Sequence, residues 1–238
     1  PYMPVSLTSG KELELVKNET YWQGTPKLDR VIVRTITDGD TLTMALQSGE
    51  IDAAYGLPYA SYALFSNDAY KISRTFFAWM NFASPIMQDK AVRKAVSMAI
   101  DKDGFVKTLL LGHGYPAAGP FPDTMDCGDK TVQSAPYNLE EAKQVLEENG
   151  WIDSDGDGIR EKDGQKLRIR WLTYPSRQEL PLLAESAQAS LKKIGIDVEI
   201  NNTASHNVLR KDKTAWDVYA SAMVTAPTGD PAYFFSYC

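Results

Sequence analysis

The sequence has 238 residues, of which 43% are hydrophobic and 24% are charged, the proportions of a folded globular protein. With 25 Lys and Arg against 31 Asp and Glu, the net charge is −6 and no long run of either sign occurs, which argues against a nucleic-acid-binding protein. No stretch approaches the roughly 18–20 consecutive apolar residues of a membrane-spanning helix. The length fits one large domain or two small ones.

The first part of the chain predicts a strand–helix–strand arrangement. Alternating or β-branched patterns predict strands over residues 12–17, 31–36 and 51–55. A short helix is expected between the second and third of these strands, because Asp38 or Asp40 can cap its start and Gly49 suits its end.

The remainder of the chain continues the alternation of strands and helices. An aromatic segment, Phe76 to Phe82, predicts a buried strand. Helices are expected to begin near Asp89, Asp103, Asn138 and Leu182, and strands are expected over residues 167–172, 196–200 and 218–223. Such alternation favours an α/β fold with helices on the faces of a sheet.

One local motif suggests a metal ion. Asp153, Asp155 and Asp157 occupy positions 1, 3 and 5 of a loop with Gly158 at position 6, as in the Ca²⁺ loop of an EF-hand. Position 12 is Gly164, where the motif requires a bidentate Glu. A polar turn is therefore favoured over a calcium site, and a Ca²⁺ ion here would be structural.

The sequence contains no recognisable catalytic motif. It has no GxSxG elbow and no phosphate-binding glycine loop, and His113 and His206 lack neighbours at metal-ligand spacing. We therefore expect no enzymatic activity and no cofactor. Cys127 and Cys238 are too few for a disulfide scaffold and leave the redox compartment open.

The aromatic residues offer a different kind of site. Tyr55, Phe77, Trp79 and Tyr174 suit the wall of a ligand cleft, although a core position is favoured for any single one of them. An arginine beside such rings, as Arg74 or Arg177 would be, can pair with an anionic ligand; its alternative role is that of a solvated charge.

Several segments together resemble the extracellular solute-binding proteins of family 5, the receptors of peptide and nickel ABC importers. In chain order they are PYMPVSLTSGKELELVKNETYWQGTPKLDRVIVRTI, ALQSGEIDAAYGLP, FFAWMNFASPIMQDKAVRKAVSMAIDKDGFV, YNLEEAKQVLEENGW, SRQELPLLAESAQASLKKIGIDVEI and APTGDPAYFF. They cover nearly the whole sequence, and the co-occurrence of VRKAVSMAIDKD and LKKIGIDVEI is specific to this family.

The resemblance implies an α/β, two-lobed periplasmic-binding-protein type II fold. Residues 1–75 would then be part of the first lobe, 76–222 the second lobe, and 223–238 a hinge return into the first lobe. We expect the sequence to be a piece of a longer receptor, holding one lobe nearly complete and part of the other.

The resemblance also implies a receptor that captures a nickel chelate or an oligopeptide between two lobes and delivers it to a membrane permease. Such a receptor would be a monomer outside the cytoplasm, periplasmic or lipid-anchored, with no nucleic-acid partner. The alternatives are a sensor or a hydrolase built on the same scaffold.

The expected ligand-binding residues combine the aromatic and arginine candidates given above with polar positions of the resemblance. They are Tyr55, Arg74, Phe77, Trp79, Asn81, Tyr174, Arg177, Thr228 and Asp230. Peptide-binding members carry an acidic residue before an Asp-Pro pair, but Pro227 falls near that position here, which is closer to the nickel-type pattern. Asp230 has a second interpretation as a turn residue before proline.

Overall fold

A computed structural model describes residues 1–65, 74–122, 125–128 and 131–237. The chain divides into two compact units, Pro1–Asn67 and Asp68–Cys238. Strands and helices alternate along it, as an α/β fold requires. Among the described residues, no helix is both long and apolar enough to cross a membrane.

The first unit contains a small antiparallel sheet and one helix. Its elements are β1 (Tyr2–Thr8), β2 (Glu12–Lys17), β3 (Arg30–Arg34), α1 (Gly39–Gln47) and a 3₁₀ helix (Tyr59–Leu64). The strands pair in the order β1-β2-β3. Asp38 caps α1 by accepting a hydrogen bond from the backbone N–H of Thr41, as the sequence predicts.

Two features of this unit differ from the sequence prediction. Residues 51–55 do not form the predicted strand, because the chain leaves α1 through bonds from Glu50 and Ile51 to Ala45 and meets no partner strand in the part that the structure describes. Strand β1 was not predicted, since Pro4 interrupts its pattern. The strand tolerates this proline because β1 lies at the edge of the sheet and bulges between Pro4 and Ser6.

The second unit contains most of the helices. They are α2 (Pro85–Gln88), α3 (Lys90–Ala99), α4 (Lys102–Gly104), a π-helical turn (Phe105–Leu109), α5 (Leu139–Glu148), α6 (Glu179–Lys192), α7 (His206–Leu209) and α8 (Ala232–Phe235). The helix expected from Asp103 is thus one α-helical turn followed by the π-helical turn.

A four-stranded sheet organises the second unit. Its strands are β4 (Arg74–Met80), β7 (Arg168–Thr173), β8 (Asp197–Asn202) and β9 (Val218–Val224), while β5 (Glu161–Lys162) and β6 (Gln165–Lys166) form a separate hairpin. The order is β4-β9-β7-β8, with β7 parallel to both β8 and β9 and β4 antiparallel to β9. The name carboxyl edge is used for the end of the sheet at which β7, β8 and β9 end and the antiparallel strand β4 begins. The amino edge is where β9 begins and β4 ends.

One face of this sheet forms the core. Ile169 and Trp171 of β7 and Val218 and Ala220 of β9 are fully buried in a cluster that includes apolar residues of α3, α5 and α6. Arg93 and Lys90 lie on the outer side of α3, whose inner residues follow the predicted helical spacing. The predicted strands at 167–172, 196–200 and 218–223 are therefore confirmed to within two residues.

The amino edge is held by a network of paired polar groups. The Asp217 side chain is 3% exposed and accepts hydrogen bonds from Arg170 Nη2 at 2.7 Å and Nε at 2.9 Å. Burial opposes the charge of Asp217, but hydrogen bonds from Arg170 and Ser84 outweigh it and lower the pKa of this carboxyl group. The network ties β7 to the start of β9.

Candidate ligand-binding site

The carboxyl edge brings together most of the residues that the sequence singles out as ligand contacts. Tyr174 directly follows β7, and Arg177 lies three residues further on. Arg74 begins β4 opposite Val224, the last residue of β9. Thr228 and Asp230 lie in the turn that follows β9. Ligands of α/β proteins bind outside the carboxyl ends of parallel strands, so this edge is where a site is expected.

The strand register also defines an aromatic face, opposite the core face of the sheet. Phe77 pairs with Ser221 and Trp79 with Tyr219, and cross-strand partners point to the same side. Tyr219 pairs with Leu172 of β7, which places Tyr174, two residues later, on that side as well. We use the name aromatic face for the surface carrying Phe77, Trp79, Tyr174, Tyr219 and Ser221.

One end of the aromatic face is covered by α8. The ring of Phe234 stacks on Trp79 at 5.7 Å between centroids and meets Phe77 edge-on at 5.8 Å. Phe121, from the proline-rich loop, packs edge-on against Phe234 at 5.6 Å. Phe77 and Trp79 are thus partly buried in a ring cluster, so their rings contribute to packing and form a side wall of the face.

The other end of the face is covered by α7. The imidazole of His206 stacks on Tyr174 at 3.8 Å between centroids, and its Nδ1 lies 2.8 Å from the hydroxyl oxygen of Tyr219. Tyr174 in turn accepts a hydrogen bond from the backbone N–H of Ala222 at 3.2 Å. Burial lowers the pKa of His206, and the positive charge of Arg210 lowers it further. His206 is therefore a neutral, oriented imidazole near neutral pH.

Buried polar atoms without partners lie near the same edge. Thr173 ends β7 and Thr225 directly follows β9; both are fully buried, and their hydroxyl groups have no hydrogen-bond partner among the described residues. Trp171 Nε1 in the core and Arg210 Nε are also buried and unpartnered in that part of the chain, but Arg210 lies by the amino edge, where its carbonyl oxygen accepts from Trp216. Native proteins pair most buried polar atoms with protein, water or ligand, so the two threonine hydroxyl groups are exceptions that add to the interest of the carboxyl edge.

Of two further predicted contacts, one lies at the other edge of the same sheet and one belongs to the first unit. Asn81 is at the amino edge, where its amide donates to the carbonyl oxygens of Lys213 and Trp216, both at 2.7 Å, and its oxygen accepts from the backbone of Ala83 at 3.1 Å. Its hydrogen-bonding groups are thus engaged by the protein itself. Tyr55 belongs to the first unit and is 78% exposed there.

The other predicted residues of this edge are near the surface. Arg177 is half-buried and donates from Nη1 to the carbonyl oxygen of Ser176 at 3.2 Å, and Thr228 is exposed. Asp230 accepts a hydrogen bond from the backbone N–H of Ala232 at 2.8 Å, the geometry of a turn residue. Its second interpretation thus has structural support.

The acidic loop contains a cation of its own. Asp153 accepts hydrogen bonds from the backbone N–H groups of Gly156 and Gly158, as a turn would require. The Lys166 ammonium group lies 2.7 Å from Asp155, 3.0 Å from Asp157 and 3.0 Å from Glu161. These contacts raise the pKa of Lys166, the hydrogen bond to Asp155 contributing most. Carboxylate oxygens that could bind Ca²⁺ are engaged by Lys166 and the loop backbone.

Sequence reasoning misses two contributors to the aromatic face. It treats His206 only as a possible metal ligand and Tyr219 only as part of a predicted strand. The alternation of large and small residues in VYASAMV was a usable signal, because it places Tyr219 and Ser221 on one side of β9. The contacts of His206 and Phe234 were not accessible in this way, since they depend on how short helices fold back over the sheet.

The whole chain, residues 1–238, matches the family model described as bacterial extracellular solute-binding proteins, family 5 Middle. The nickel-binding protein NikA of Staphylococcus aureus is 29% identical over 99% of this chain and 47% of its own length. The oligopeptide-binding protein AppA of Bacillus subtilis is 31% identical over 90% of this chain and 41% of its own length.

A solved structure has the same fold. NikA from Brucella suis in complex with Fe(III)-EDTA superposes with a TM-score of 0.87 at 28% identity, covering 99% of this chain and 49% of that one. The chain therefore spans less than half the length of these relatives.

Proposed function

Because this chain belongs to the bacterial extracellular solute-binding proteins of family 5, we propose that it forms part of the substrate-binding receptor of an ABC importer. The receptor captures a solute between two lobes and delivers it to a membrane permease. The 1–75, 76–222 and 223–238 division into first lobe, second lobe and hinge return belongs to the same proposal. The paired strands β4 and β9 would be the two crossings between the lobes, and both, like residues 223–238, belong to the second compact unit.

The proposed solute is an oligopeptide or a nickel chelate. The observation that carries the proposal is the convergence at one sheet edge of aromatic rings, half-buried arginines and unpartnered buried polar atoms. Aromatic walls with a few oriented polar groups are typical of small-molecule sites. Arg74 and Arg177 supply positive charge there, which suits an anionic chelate or the carboxylate of a peptide.

The wider features of the proposal follow from this role. The receptor acts outside the cytoplasm as a monomer, binds no nucleic acid and catalyses no reaction. It needs no cofactor, because the Lys166 ammonium group occupies the centre of the acidic loop in place of Ca²⁺. Adding Ca²⁺ or EDTA is expected to leave the melting temperature unchanged, and a rise in melting temperature with Ca²⁺ would contradict this part of the proposal.

Calorimetric titration of the full-length receptor tests the function. The probes are the nickel–L-histidine complex, free Ni²⁺ and a mixture of pentapeptides. We expect heat from the nickel complex or the peptides and none from free Ni²⁺, since the described part of the second unit offers no cluster of imidazole and thiolate ligands at the aromatic face.

Comparison of Arg177→Ala with a matched control, Arg168→Ala, sharpens this test. Arg168 begins β7, whereas Arg177 lies beyond the end of that strand. Arg177→Ala is expected to weaken binding while leaving the melting temperature unchanged, and Arg168→Ala to leave affinity unchanged. Absence of heat from all probes would remove the assignment of the solute class.

A further inference from the structure

A small residue lies between two rings on the aromatic face. Ser221 of β9 is the cross-strand partner of Phe77. The hydroxyl oxygen of Tyr174 accepts a hydrogen bond from the backbone N–H of Ala222 at 3.2 Å, which places the Tyr174 ring beside the same stretch of β9. Ser221 and Phe77 remain partly exposed. The short side chain of Ser221 therefore leaves a hollow between the two rings, which we call the Ser221 depression.

The sheet sets the width of the Ser221 depression. Strands β4 and β7 lie on either side of β9. Neighbouring strands are about 4.8 Å apart, so side chains that stand on β4 and β7 are separated by about 10 Å. Carbon atoms in contact are about 3.5–4.0 Å apart. The depression therefore admits one flat group that contacts both walls.

The ring of Phe234 occupies the surface that a larger solute group would need. It stacks on Trp79 with an interplanar angle of 15° and meets Phe77 edge-on at 83°. Phe77 and Trp79 themselves meet edge-on at 5.0 Å between centroids. A ring of the protein itself thus lies against both rings of β4, and the depression ends at Phe234.

Phe234 is held in this position from behind. Phe121 packs edge-on against it at 5.6 Å between centroids, and Phe235 does so at 5.5 Å. The loop that carries Phe121 is tied to β4, since the Thr75 hydroxyl group donates to the carbonyl oxygen of Pro120 at 3.1 Å. A solute that displaced Phe234 would have to break these ring contacts, each of which stabilises the present arrangement.

We propose that Phe234 is a specificity determinant that limits the size of the solute group bound in the Ser221 depression. The group that it admits is compact, such as one chelate ring or one short side chain, and a group that carries an additional aromatic ring is excluded. The inference rests on the proposed function and adds a size limit to the solute. It applies to a chelate and to a peptide alike.

Matched compact and bulky probes test the size limit by calorimetric titration of the full-length receptor. The nickel probes are the complexes of L-histidine and of L-histidine benzylated at Nε2. The peptide probes are penta-alanine and the five peptides in which one alanine is replaced by tryptophan. We expect the wild type to bind the benzyl complex, or the peptide with tryptophan at the position that enters the depression, at least about tenfold more weakly than its compact partner, as overpacking implies.

Two substitutions of Phe234 locate the limit. Phe234→Ala opens a ring-sized space over Phe77 and Trp79 and is expected to remove most of the discrimination, because the added ring can stack where Phe234 does. Phe234→Val keeps part of the volume and is expected to show an intermediate discrimination. The valine variant decides the question if the alanine variant does not fold.

Tyr237→Ala is the matched control. Tyr237 follows α8, is 54% exposed, and its ring contacts Tyr233 at 5.4 Å between centroids. The variant removes an aromatic ring from the same segment and is expected to discriminate as the wild type does. A loss of discrimination equal to that in Phe234→Ala would overturn the proposal, because the limit would then not be set by the Phe234 ring.

The outcomes separate this proposal from the function on which it rests. Equal affinity of the wild type for compact and bulky probes, or unchanged discrimination in the Phe234 variants, overturns the role of Phe234 and leaves the receptor function intact. Absence of binding of every probe overturns both the size limit and the proposed function.

Discussion

The two edges of the four-stranded sheet use their polar groups in opposite ways. At the amino edge, Asn81, Asp217 and Arg170 satisfy one another or the backbone, with hydrogen bonds of 2.7–3.1 Å. At the carboxyl edge, the hydroxyl groups of Thr173 and Thr225 have no partner among the described residues. The first edge is built for stability, and the second leaves hydrogen-bonding capacity available.

This difference predicts which residues hold the fold and which are available to a ligand. A buried polar group that loses its partner destabilises a protein, whereas a group that has no partner in the free protein can be removed at little cost. Substitutions at the amino edge should therefore change stability and not binding. Substitutions at the carboxyl edge should change binding and not stability.

The largest effect is expected from Asp217→Ala. This change removes a buried carboxylate and leaves Arg170 without its partner, at a cost of about 3 kcal/mol in the free energy of unfolding. Chemical denaturation measures the change. Asp197→Ala is the matched control, since the Arg168–Asp197 pair at 3.2 Å is exposed and should contribute less than about 1 kcal/mol. Equal losses in the two variants would contradict the importance of burial at Asp217.

A smaller loss is expected from Asn81→Ala. The variant leaves the carbonyl oxygens of Lys213 and Trp216 without their donor and should cost about 2 kcal/mol in the free energy of unfolding. Denaturation measures stability, and titration with the nickel–L-histidine complex or pentapeptide measures affinity. Unchanged stability together with weakened binding would show that Asn81 contacts the ligand, as the family resemblance implied.

The pH dependence of the free energy of unfolding tests the environment of His206. Because burial and Arg210 lower the pKa of His206 in the folded protein, the unfolded chain takes up a proton first as the pH falls. Stability from neutral His206 is present above about pH 6.5, the ordinary histidine value, and is lost as the pH falls through the lower folded pKa. Denaturation curves between pH 7.5 and pH 5 should show this loss of unfolding free energy with falling pH in the wild type and a smaller loss in His206→Phe. Equal losses in the two proteins would contradict the lowered pKa of His206.

The smallest stability effect is expected from Thr173→Val and Thr225→Val. Each replaces an unpartnered hydroxyl with a methyl group of similar shape, so the free energy of unfolding should change by less than about 0.5 kcal/mol or rise. Thr75→Val is a useful contrast, because its hydroxyl donates to the carbonyl oxygen of Pro120 at 3.1 Å. A loss above about 1 kcal/mol in Thr173→Val would mean that its hydroxyl is paired.

The sheet and its main helices could be predicted from the sequence because their patterns are local. The buried strand at 76–82 has the expected apolar run, and Asp89 and Asn138 cap helices with their side chains as N-cap residues do. The strand predicted at 51–55 failed because a strand also needs a partner, which no local pattern reveals.

The candidate site was only partly predictable. The inventory of aromatic residues and arginines gave Phe77, Trp79, Tyr174 and Arg177, because rings beside a guanidinium group suit a ligand cleft. The role of His206 depends on contacts with Tyr174 and Tyr219, which lie 32 and 13 residues away in the chain, and sequence spacing carries no information on those contacts. Asn81 was misleading because a polar residue after a strand can equally serve the backbone of a neighbouring loop.

Hydrogen–deuterium exchange of the full-length receptor, with and without the nickel–L-histidine complex or the pentapeptide that binds it, compares both edges in one measurement. We predict slower exchange on binding in segments 173–178, 203–210 and 224–230 at the carboxyl edge, and unchanged exchange in segments 81–84 and 213–217 at the amino edge. Protection confined to the amino edge, or unchanged exchange at the carboxyl edge despite calorimetric binding, would contradict the assignment of the ligand site.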